Sequence, residues 1–501
     1  MEPPVEPRDV VAALADRGLN ATPETARRIA SADHPDELVA AVAEATDGAV
    51  VTEEDLDAVT GRSRRASDGG GAVAAATARP EPSPADASEG GEEDAADGDA
   101  STTGPLADDA VVLSSDVTDR STCTGEFGDF VSLFRDRFRR LRDMLKSRIS
   151  PRNLSALTEG GRSATAVGMV NGVRQTANGN YLVELEDPTG TLRALLRADD
   201  HREEAERLLA DEVVGVEGRM SDDGAVLYAD SLHRPGVPHR PEATTADVDV
   251  RVALTSDLHV GSKNFAADAW DRFTDWLADA DVDHLLIAGD LVEGVGVYPD
   301  QQEELDVVDI HEQYRTCAER LAAIPDDVDV IALTGNHDSV RLAEPQPALP
   351  DEFRAGFPDN VAFAGNPVRV TIHGVDFLLY HGASLNEVVE QIPEARVEEP
   401  EVAMRHLLEK RHLAPTYGGH VRLAPEERDY LVIDEVPDVL HMGHVHTFGY
   451  ERHHGTHVVN TGAWQTQTEY QRNLNIDPDV GYCTVVDLAT MEVDAKQFSP
   501  D

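Results

Sequence analysis

The sequence predicts an α/β chain in which buried strands alternate with helices. Three short aliphatic runs, each giving way to a loop that contains Gly or Asp, have the pattern of buried strands and span 248–254, 284–288 and 328–333. Apolar residues at helical spacing occupy 269–277 and 310–324 between them. This order predicts parallel strands with helices packed on them, and ligands collect beyond the carboxyl ends of such strands.

Residues 1–60 are predicted to form a small N-terminal helical module. The segment is rich in Ala, Val10 and Leu14 lie at helical spacing, and Thr22-Pro23-Glu24 has the pattern of a helix start. No residue of the module suggests chemistry. Contact with a partner and simple extension of the terminus are equally open roles for it.

Residues 61–110 are predicted to be an acidic disordered linker. Gly, Ala, Ser, Pro, Asp and Glu dominate this segment, and large apolar residues are nearly missing from its sequence. Such a composition buries too little apolar surface to offset the entropy lost on ordering.

Residues 111–155 contain the most basic stretch of the chain, predicted to be an amphipathic helix. Its apolar residues fall in one helical stripe: Phe127, Phe130, Val131, Phe134, Phe138, Leu141 and Leu145. Its cations are Arg135, Arg137, Arg139, Arg140, Arg142, Lys146 and Arg148. A run of charges is usually a solvated face, and contact with DNA or an acidic partner is the alternative.

Residues 160–245 alternate as short strands, and their order is that of an OB-fold β-barrel. Three strands, a helix and two more strands are predicted at 166–170, 181–185, 192–196, 199–209, 213–217 and 225–232. OB-folds often bind single strands of nucleic acid by stacking bases on aromatic rings. Only Tyr181 and Tyr228 could stack here, and acids outnumber bases. We therefore expect a surface for protein contact rather than a DNA groove.

Residues 246–501 carry polar clusters at the ends of five predicted strands, the last two of which cover 375–380 and 439–442. The side chains at these ends are Asp257, His259, Asp290, Asn336, His337, His381, His444 and His446. Carboxylate and amide oxygens mixed with imidazole, and no thiolate, suit Mn, Fe, Ni or Zn. There are too many ligands for one ion, whereas two ions about 3.5–4 Å apart and a bridging carboxylate would use them all.

The charge of the chain is extreme, at −52. Molar salt shortens the Debye length to about 3 Å and removes most of the resulting self-repulsion, so this composition predicts a cytoplasmic protein of a halophile. The chain lacks the basic footprint of a typical DNA-binding protein. That lack argues only weakly against DNA, because counterion release contributes little affinity in high salt.

Cysteine usage and hydropathy predict a reducing, cytoplasmic location. Cys123, Cys317 and Cys483 are the only cysteines, and they form no CxxC pair. No apolar run approaches the roughly 20 residues of a membrane helix, and no signal segment is recognisable at the start. We therefore expect no membrane partner.

The polar clusters resemble the full motif set of the calcineurin-like metallophosphoesterases. The motifs are Asp257-x-His259, Gly289-Asp290, Gly335-Asn336-His337-Asp338, His381-Gly382 and Gly443-His444-x-His446. Four further stretches, at 289–299, 344–347, 411–415 and 461–465, are similar to the small subunits of archaeal D-family DNA polymerases. This second resemblance covers about residues 111–501, and the acidic composition fits its haloarchaeal type.

The resemblance implies a two-sheet metallophosphoesterase domain at 246–501, preceded by the OB-fold barrel and the N-terminal helical module. It implies a metal-dependent 3′–5′ exonuclease that proofreads as the small subunit of a heterodimeric polymerase during DNA replication. The implied partners are the large catalytic subunit, the single-stranded 3′ end of a DNA primer and, through the holoenzyme, a sliding clamp.

The resemblance also implies roles for single residues. One ion would be held by Asp257, His259, Asp290 and His446, and the other by Asp290, Asn336, His381 and His444. Mn²⁺ is the expected metal, with Fe, Ni or Zn as alternatives. His337 would donate a proton to the leaving oxygen or stabilise the transition state, and Asp338 would orient His337.

Two other functions are compatible with the domain order. The chain could be a non-catalytic scaffold subunit of the polymerase, as counterparts in eukaryotic polymerases are. Retention of every ligand argues against that, because unpaired buried Asp and His are costly. It could also be a free-standing repair nuclease or phosphodiesterase, but neither requires the linker, basic helix and barrel in this order.

Overall fold

The structure, a computed structural model, describes residues 110–499 except 158–159, 241–242, 299–300 and 474, together with scattered residues before residue 57. The chain divides into two units, Met1–Ala95 and Ala96–Asp501. In the first unit, β1 (Asn20–Ala21) pairs in parallel with β2 (Val50–Val51), and α1 (Pro23–Ala30) lies between them in sequence. Helix α1 begins at Pro23, as the Thr-Pro-Glu pattern predicts. Most of the predicted module and the linker lie outside the described residues.

The basic segment begins with a strand rather than a helix. β3 (Val111–Ser114) precedes α2 (Phe127–Lys146), and a 3₁₀ turn follows at Leu154–Ala156. The backbone N–H of Glu126 donates to Oδ2 of Asp129 at 2.6 Å, which closes the first turn of α2.

Helix α2 buries part of its charge as well as its apolar stripe. Phe138, Leu141 and Leu145 pack with apolar residues of the following barrel. Arg137 is fully buried, and its Nε donates to Asp429 at 2.6 Å. Phe127 is 83% exposed, although the sequence stripe includes it. The prediction of a solvated charged face is therefore wrong at Arg137.

A closed five-stranded barrel follows. Its elements are β4 (Ser163–Gln175), β5 (Tyr181–Asp187), β6 (Gly190–Leu196), α3 (Ala198–Glu206), β7 (Val213–Met220) and β8 (Val226–His233). The strands are hydrogen-bonded in the order β4-β5-β6-β8-β7, and β7 returns to β4. Five strands and one helix therefore occur in the predicted order.

The rest of the chain alternates strands and helices. Its elements are β9 (Arg251–Thr255), α4 (Ala267–Leu277), β10 (His284–Ile287), a 3₁₀ turn (Gln301–Glu303), α5 (Ile310–Leu321), β11 (Asp329–Leu333), β12 (Ala343–Glu344), α6 (Asp351–Arg354), β13 (Val361–Ala364), β14 (Val368–Ile372), β15 (Val375–Leu379), α7 (Leu385–Gln391), α8 (Pro400–Lys410), β16 (Arg422–Leu423), β17 (Val439–Met442), β18 (Phe448–His453), β19 (Thr456–Thr461), α9 (Glu469–Asn473), β20 (Tyr482–Asp487) and β21 (Glu492–Gln497).

Eleven of these strands, together with β3, form two six-stranded mixed sheets, and β12 pairs separately with β16. The first has the order β13-β11-β10-β9-β20-β21, in which β9, β10, β11 and β13 are parallel. The second has the order β18-β19-β17-β15-β14-β3, in which β15, β17 and β19 are parallel. Strand β3 of the basic segment thus closes the edge of the second sheet. The prediction of an α/β fold is confirmed, with antiparallel strands at one edge of the first sheet and at both edges of the second.

Alternation along the strands explains how the two sheets stack. Val252 and Leu254 of β9 share one apolar core with Phe377 and Leu379 of β15, so this core lies between the sheets. Ala253 faces the opposite way, into a core with Trp270 of α4 and Tyr314 of α5. Leu378 of β15 likewise faces a third core, with Leu407 of α8. The layers are therefore helix, sheet, sheet and helix. No helix among the described residues is long and apolar enough to cross a membrane.

Candidate metal centre

All seven predicted metal ligands lie at the carboxyl ends of strands, and both sheets contribute. The first sheet supplies Asp257 and His259 after β9, Asp290 after β10 and Asn336 after β11, and the second supplies His381 after β15 and His444 and His446 after β17. Because parallel strands end at one edge of each sheet, these loops meet at one place.

Asp257, His259 and His446 form a first group of side chains whose ligand atoms face each other. Nε2 of His259 lies 2.9 Å from Nε2 of His446, and the latter lies 3.4 Å from Oδ1 of Asp257. All three side chains are buried. Two imidazole nitrogens and a carboxylate oxygen directed at one point fit a transition-metal ion.

Asp290, His381 and His444 form a second group. Nε2 of His381 lies 3.3 Å from Oδ2 of Asp290 and 3.3 Å from Nδ1 of His444. Oδ1 of Asn336 lies 2.9 Å from the same Nε2 atom of His381. Carboxylate, amide and imidazole atoms therefore meet here, as the sequence predicts.

Asp290 lies between the two groups. Its Oδ2 is 3.7 Å from Nε2 of His259 in the first group and 3.3 Å from Nε2 of His381 in the second. A carboxylate in this position has the geometry that a ligand shared by two ions requires. Both groups open into a cavity of about 500 Å³.

Five of these ligand residues have a left-handed backbone conformation. Their φ angles are 55° at Asp257, 53° at His259, 51° at Asp290, 74° at His444 and 60° at His446. Residues with a β-carbon rarely adopt positive φ, and Asp and His do so more readily than branched residues. Four of these residues, His259, Asp290, His444 and His446, line the cavity.

The electrostatic field of the cluster favours positive charge. Burial opposes the ionisation of Asp290, but the neighbouring histidines lower its pKa well below the usual value. Burial also opposes charge on His381, but Asp290 raises its pKa to about 10. Burial and His381 together lower the pKa of His444 to about 3, so this imidazole stays neutral. Ionised carboxylates and neutral imidazole nitrogens are the forms that bind metal. Asp290 and His444 are therefore already in these forms. The proton on His381 balances the carboxylate charge of Asp290, and a divalent cation would take its place.

Glu293 holds His259 from outside the cluster. Its Oε2 is 2.9 Å from Nδ1 of His259, which leaves Nε2 of that ring directed at the first group. Gln465 donates to the same oxygen at 2.6 Å. Burial would raise the pKa of Glu293, but the bond to His259 lowers it to about 2. The sequence did not assign Glu293 a role, although it lies three residues after Asp290 in a stretch that carries the resemblance.

Two other supporting residues were also missed. Nε2 of Gln471 is 2.8 Å from Nδ1 of His446, and Nδ2 of Asn386 is 3.0 Å from Nε2 of His444. Gln471 lies on α9, 25 positions after His446, and Asn386 lies on α7, 58 positions before His444. No local pattern marks such residues, because their role depends on which ring the folded chain brings to them.

His337 lines the cavity beside the cluster, at a ring-centroid distance of 4.7 Å from His259. Its Nδ1 donates to the backbone carbonyl of Glu293 at 2.7 Å, so Nε2 is the nitrogen left for a ligand. Asp338 accepts from the backbone N–H groups of Gly335 and Leu291, at 2.9 and 3.2 Å. The side chain of His337 is therefore oriented by the Glu293 carbonyl, whereas Asp338 fixes the loops around it. This differs from the predicted role of Asp338.

Comparison with known proteins agrees with these motifs. Residues 252–449 match the sequence model of a family that comprises the B subunits of DNA polymerases alpha and epsilon. The chain is 46% identical to the DNA polymerase II small subunit of Halobacterium salinarum, over 99% of this chain and all of the relative. It is 39% identical to the protein of the same name from Methanothermobacter thermautotrophicus, over 76% of this chain and 81% of the relative. The chain therefore belongs to the family of DNA polymerase II small subunits, and the predicted resemblance is confirmed.

A solved archaeal phosphodiesterase also aligns with the chain. The alignment covers 49% of this chain and 99% of the phosphodiesterase, at 13% identity and a TM-score of 0.27. A score this low supports no inference about the present chain.

Proposed function

We propose that this polymerase small subunit is a metal-dependent 3′–5′ exonuclease that removes nucleotides from the 3′ end of single-stranded DNA. In this proposal residues 246–501 are a two-sheet metallophosphoesterase domain, and the barrel within 160–245 is an OB-fold. The large catalytic subunit of the polymerase is the proposed partner, with a clamp contacted through the holoenzyme. The acidic composition supports a high-salt cytoplasm as its environment.

The observation that carries the proposal is the meeting of seven separate ligands in two groups joined by Asp290. Asp257, His259 and His446 would hold one ion, and Asn336, His381 and His444 the other. When bound, two divalent ions, preferably Mn²⁺, would stabilise phosphoryl charge and activate a water molecule for attack on phosphorus. A scaffold would have no use for so many buried ligands.

The chain's own residues have three tasks in this reaction. Glu293, Gln471 and Asn386 orient imidazole rings, as their contacts with His259, His446 and His444 indicate. His337 carries a proton at Nε2 to the leaving oxygen, and the Glu293 carbonyl holds the opposite nitrogen. The cavity confines the phosphodiester beside the metal ligands and His337.

The test is hydrolysis of a 3′-labelled single strand in molar KCl with Mn²⁺, together with metal content by mass spectrometry. We expect His337→Ala to slow hydrolysis by at least roughly 100-fold while the protein keeps its metal. Asp290→Asn should lose both metal and activity. His311→Gln is the control, since His311 is exposed on α5 and stacks on Phe353.

One result would overturn the proposal, and another would remove a single residue from it. Wild-type protein that binds metal but hydrolyses no strand would favour the scaffold function. Full activity in His337→Ala would remove that residue from the reaction. Co-purification of a large polymerase subunit under native salt separates a polymerase subunit from a free-standing nuclease.

A further inference from the structure

Two stacked tyrosines form part of the wall of the cavity. The ring centroids of Tyr298 and Tyr470 are 4.9 Å apart, and their planes differ by 25°. Both residues line the cavity that holds the ligand cluster. Tyr470 is 47% exposed, so its ring is open to a binding partner.

Hydrogen bonds position both tyrosines. The hydroxyl of Tyr298 lies 3.0 Å from Oε1 of Glu293 and 2.9 Å from Oε2 of Glu304. The backbone N–H of Tyr470 donates to the other oxygen of Glu304 at 3.2 Å. One carboxylate thus ties both tyrosines together, and Glu293 ties them to His259. Because these bonds already place the tyrosine pair, little entropy would be lost in ordering the Tyr470 ring when a flat partner stacks on it.

The other lining residues show what the cavity lacks. Val297, Val389, Val397 and Ile476 supply aliphatic surface, and no Lys or Arg is among the described residues that line the cavity. Within the cavity, affinity for a strand therefore rests on groups other than Lys and Arg. High salt would weaken contacts between cations and phosphates in any case, whereas stacking on an aromatic ring survives it.

We propose that Tyr470, backed by Tyr298, is a stacking site for the nucleobase next to the scissile phosphodiester. The inference rests on the proposed exonuclease function and names the feature of the substrate that the cavity recognises: an unpaired nucleotide with its base. Every base has an aromatic face, so the site binds all four bases and selects for strand state instead of sequence.

The test is binding of an oligonucleotide with 2-aminopurine at its 3′ end, whose fluorescence is quenched by stacking. Measurements use Mn²⁺-loaded protein in the His337→Ala background, with intact strand verified afterwards. Tyr470→Ala should weaken binding about ten-fold and abolish the quenching, while Tyr470→Phe should restore both. Tyr450→Ala is the control, because Tyr450 is 40% exposed on β18 and contacts His457.

A strand that ends in an abasic nucleotide separates stacking from loss of structure. Protein with Tyr470 should bind this strand about ten-fold more weakly than the complete strand, and Tyr470→Ala should not distinguish the two. Equal binding of the complete strand with and without the Tyr470 ring would overturn the stacking site. Failure of hydrolysis in wild-type protein would overturn only the exonuclease proposal, because the binding measurement does not depend on cleavage.

Discussion

At the scale of single residues, the ligand cluster depends on Glu293 as well as on the ligands themselves. Glu293 accepts from His259 and Gln465 and lies within hydrogen-bond distance of Tyr298, so one buried carboxylate links the first metal group to the tyrosine pair. A carboxylate behind a metal-bound imidazole fixes the ring and increases its basicity.

Glu293→Gln should weaken Mn²⁺ binding by about 10- to 100-fold while the protein stays folded. The neutral amide keeps the shape of Glu293 but withdraws the charge that supports His259. Metal titration followed by calorimetry measures the effect. Glu303→Gln is the matched control, since Glu303 is exposed in the 3₁₀ turn nearby. Unchanged affinity in Glu293→Gln would show that geometry alone positions His259.

The ligands could be predicted from sequence because each directly follows a recognisable strand. Asp290 follows β10 in a Gly-Asp pair, and His444 and His446 follow β17. Their supporting residues could not be predicted in the same way. Gln471, for example, contacts His446 from 25 positions further along the chain. Which amide meets which ring is decided by the packing of α9 and not by spacing.

At the scale of elements, α2 is fastened to the α/β region by a buried network. Arg137 of α2 and His412 both contact Oδ2 of Asp429, at 2.6 and 2.9 Å. The helix and its apolar stripe could be predicted from periodicity. The burial of Arg137 could not, because its partner lies 292 positions away. Strand β13 was missed as well, within a stretch rich in Pro that resembles loop.

His412 should make folding sensitive to acid. Burial and the charge of Arg137 lower its pKa to about 4, although Asp429 acts in the opposite direction. In the unfolded chain its pKa is near 6.5. Between these values the unfolded state binds more protons, so the stabilising contribution of neutral His412 is complete above pH 6.5 and is lost as pH falls toward 4. The loss is about 3 kcal/mol.

Urea unfolding at several pH values in molar KCl measures this loss. His412→Gln keeps a donor for Asp429 but does not titrate, so its stability should fall less than that of wild type between pH 6.5 and 4. His311→Gln should behave as wild type. Parallel pH dependence in all three proteins would mean that His412 does not titrate differently on folding.

At the scale of the whole molecule, charge is the dominant property. The net charge is −52, so acidic side chains repel one another throughout the chain. Salt screens this repulsion, because the Debye length falls from about 10 Å at 0.1 M to about 3 Å at 1 M. One of the few lysines is buried in an ion pair and adds no positive charge to the surface. Lys410 is 1% exposed and donates to Glu212, at 2.6 Å, which joins α8 to the segment before β7 of the barrel.

Raising KCl from 0.1 to 1 M should therefore raise the Tm of the protein by more than about 5 °C. Thermal unfolding followed by circular dichroism provides the measurement. Sucrose of equal osmolality is the control, because it is excluded from the protein surface without screening charge. An equal rise in sucrose, or none in KCl, would contradict an electrostatic origin.

The alternation of strands and helices predicted the fold class, whereas the salt dependence inferred from composition stays a prediction. The stacking of two sheets was implied by the resemblance alone, because strand patterns do not report which sheet a strand joins. Strand β3 shows the difficulty, since it pairs with β14 more than 250 positions later.

The left-handed backbone at Asp257, His259, Asp290, His444 and His446 has an evolutionary consequence. Each such residue costs roughly 1 kcal/mol relative to glycine, which adopts the same angles freely. A descendant that no longer needed these side chains could therefore carry glycine at these positions without this backbone cost. Replacement by glycine in a related sequence would then record the loss of chemistry.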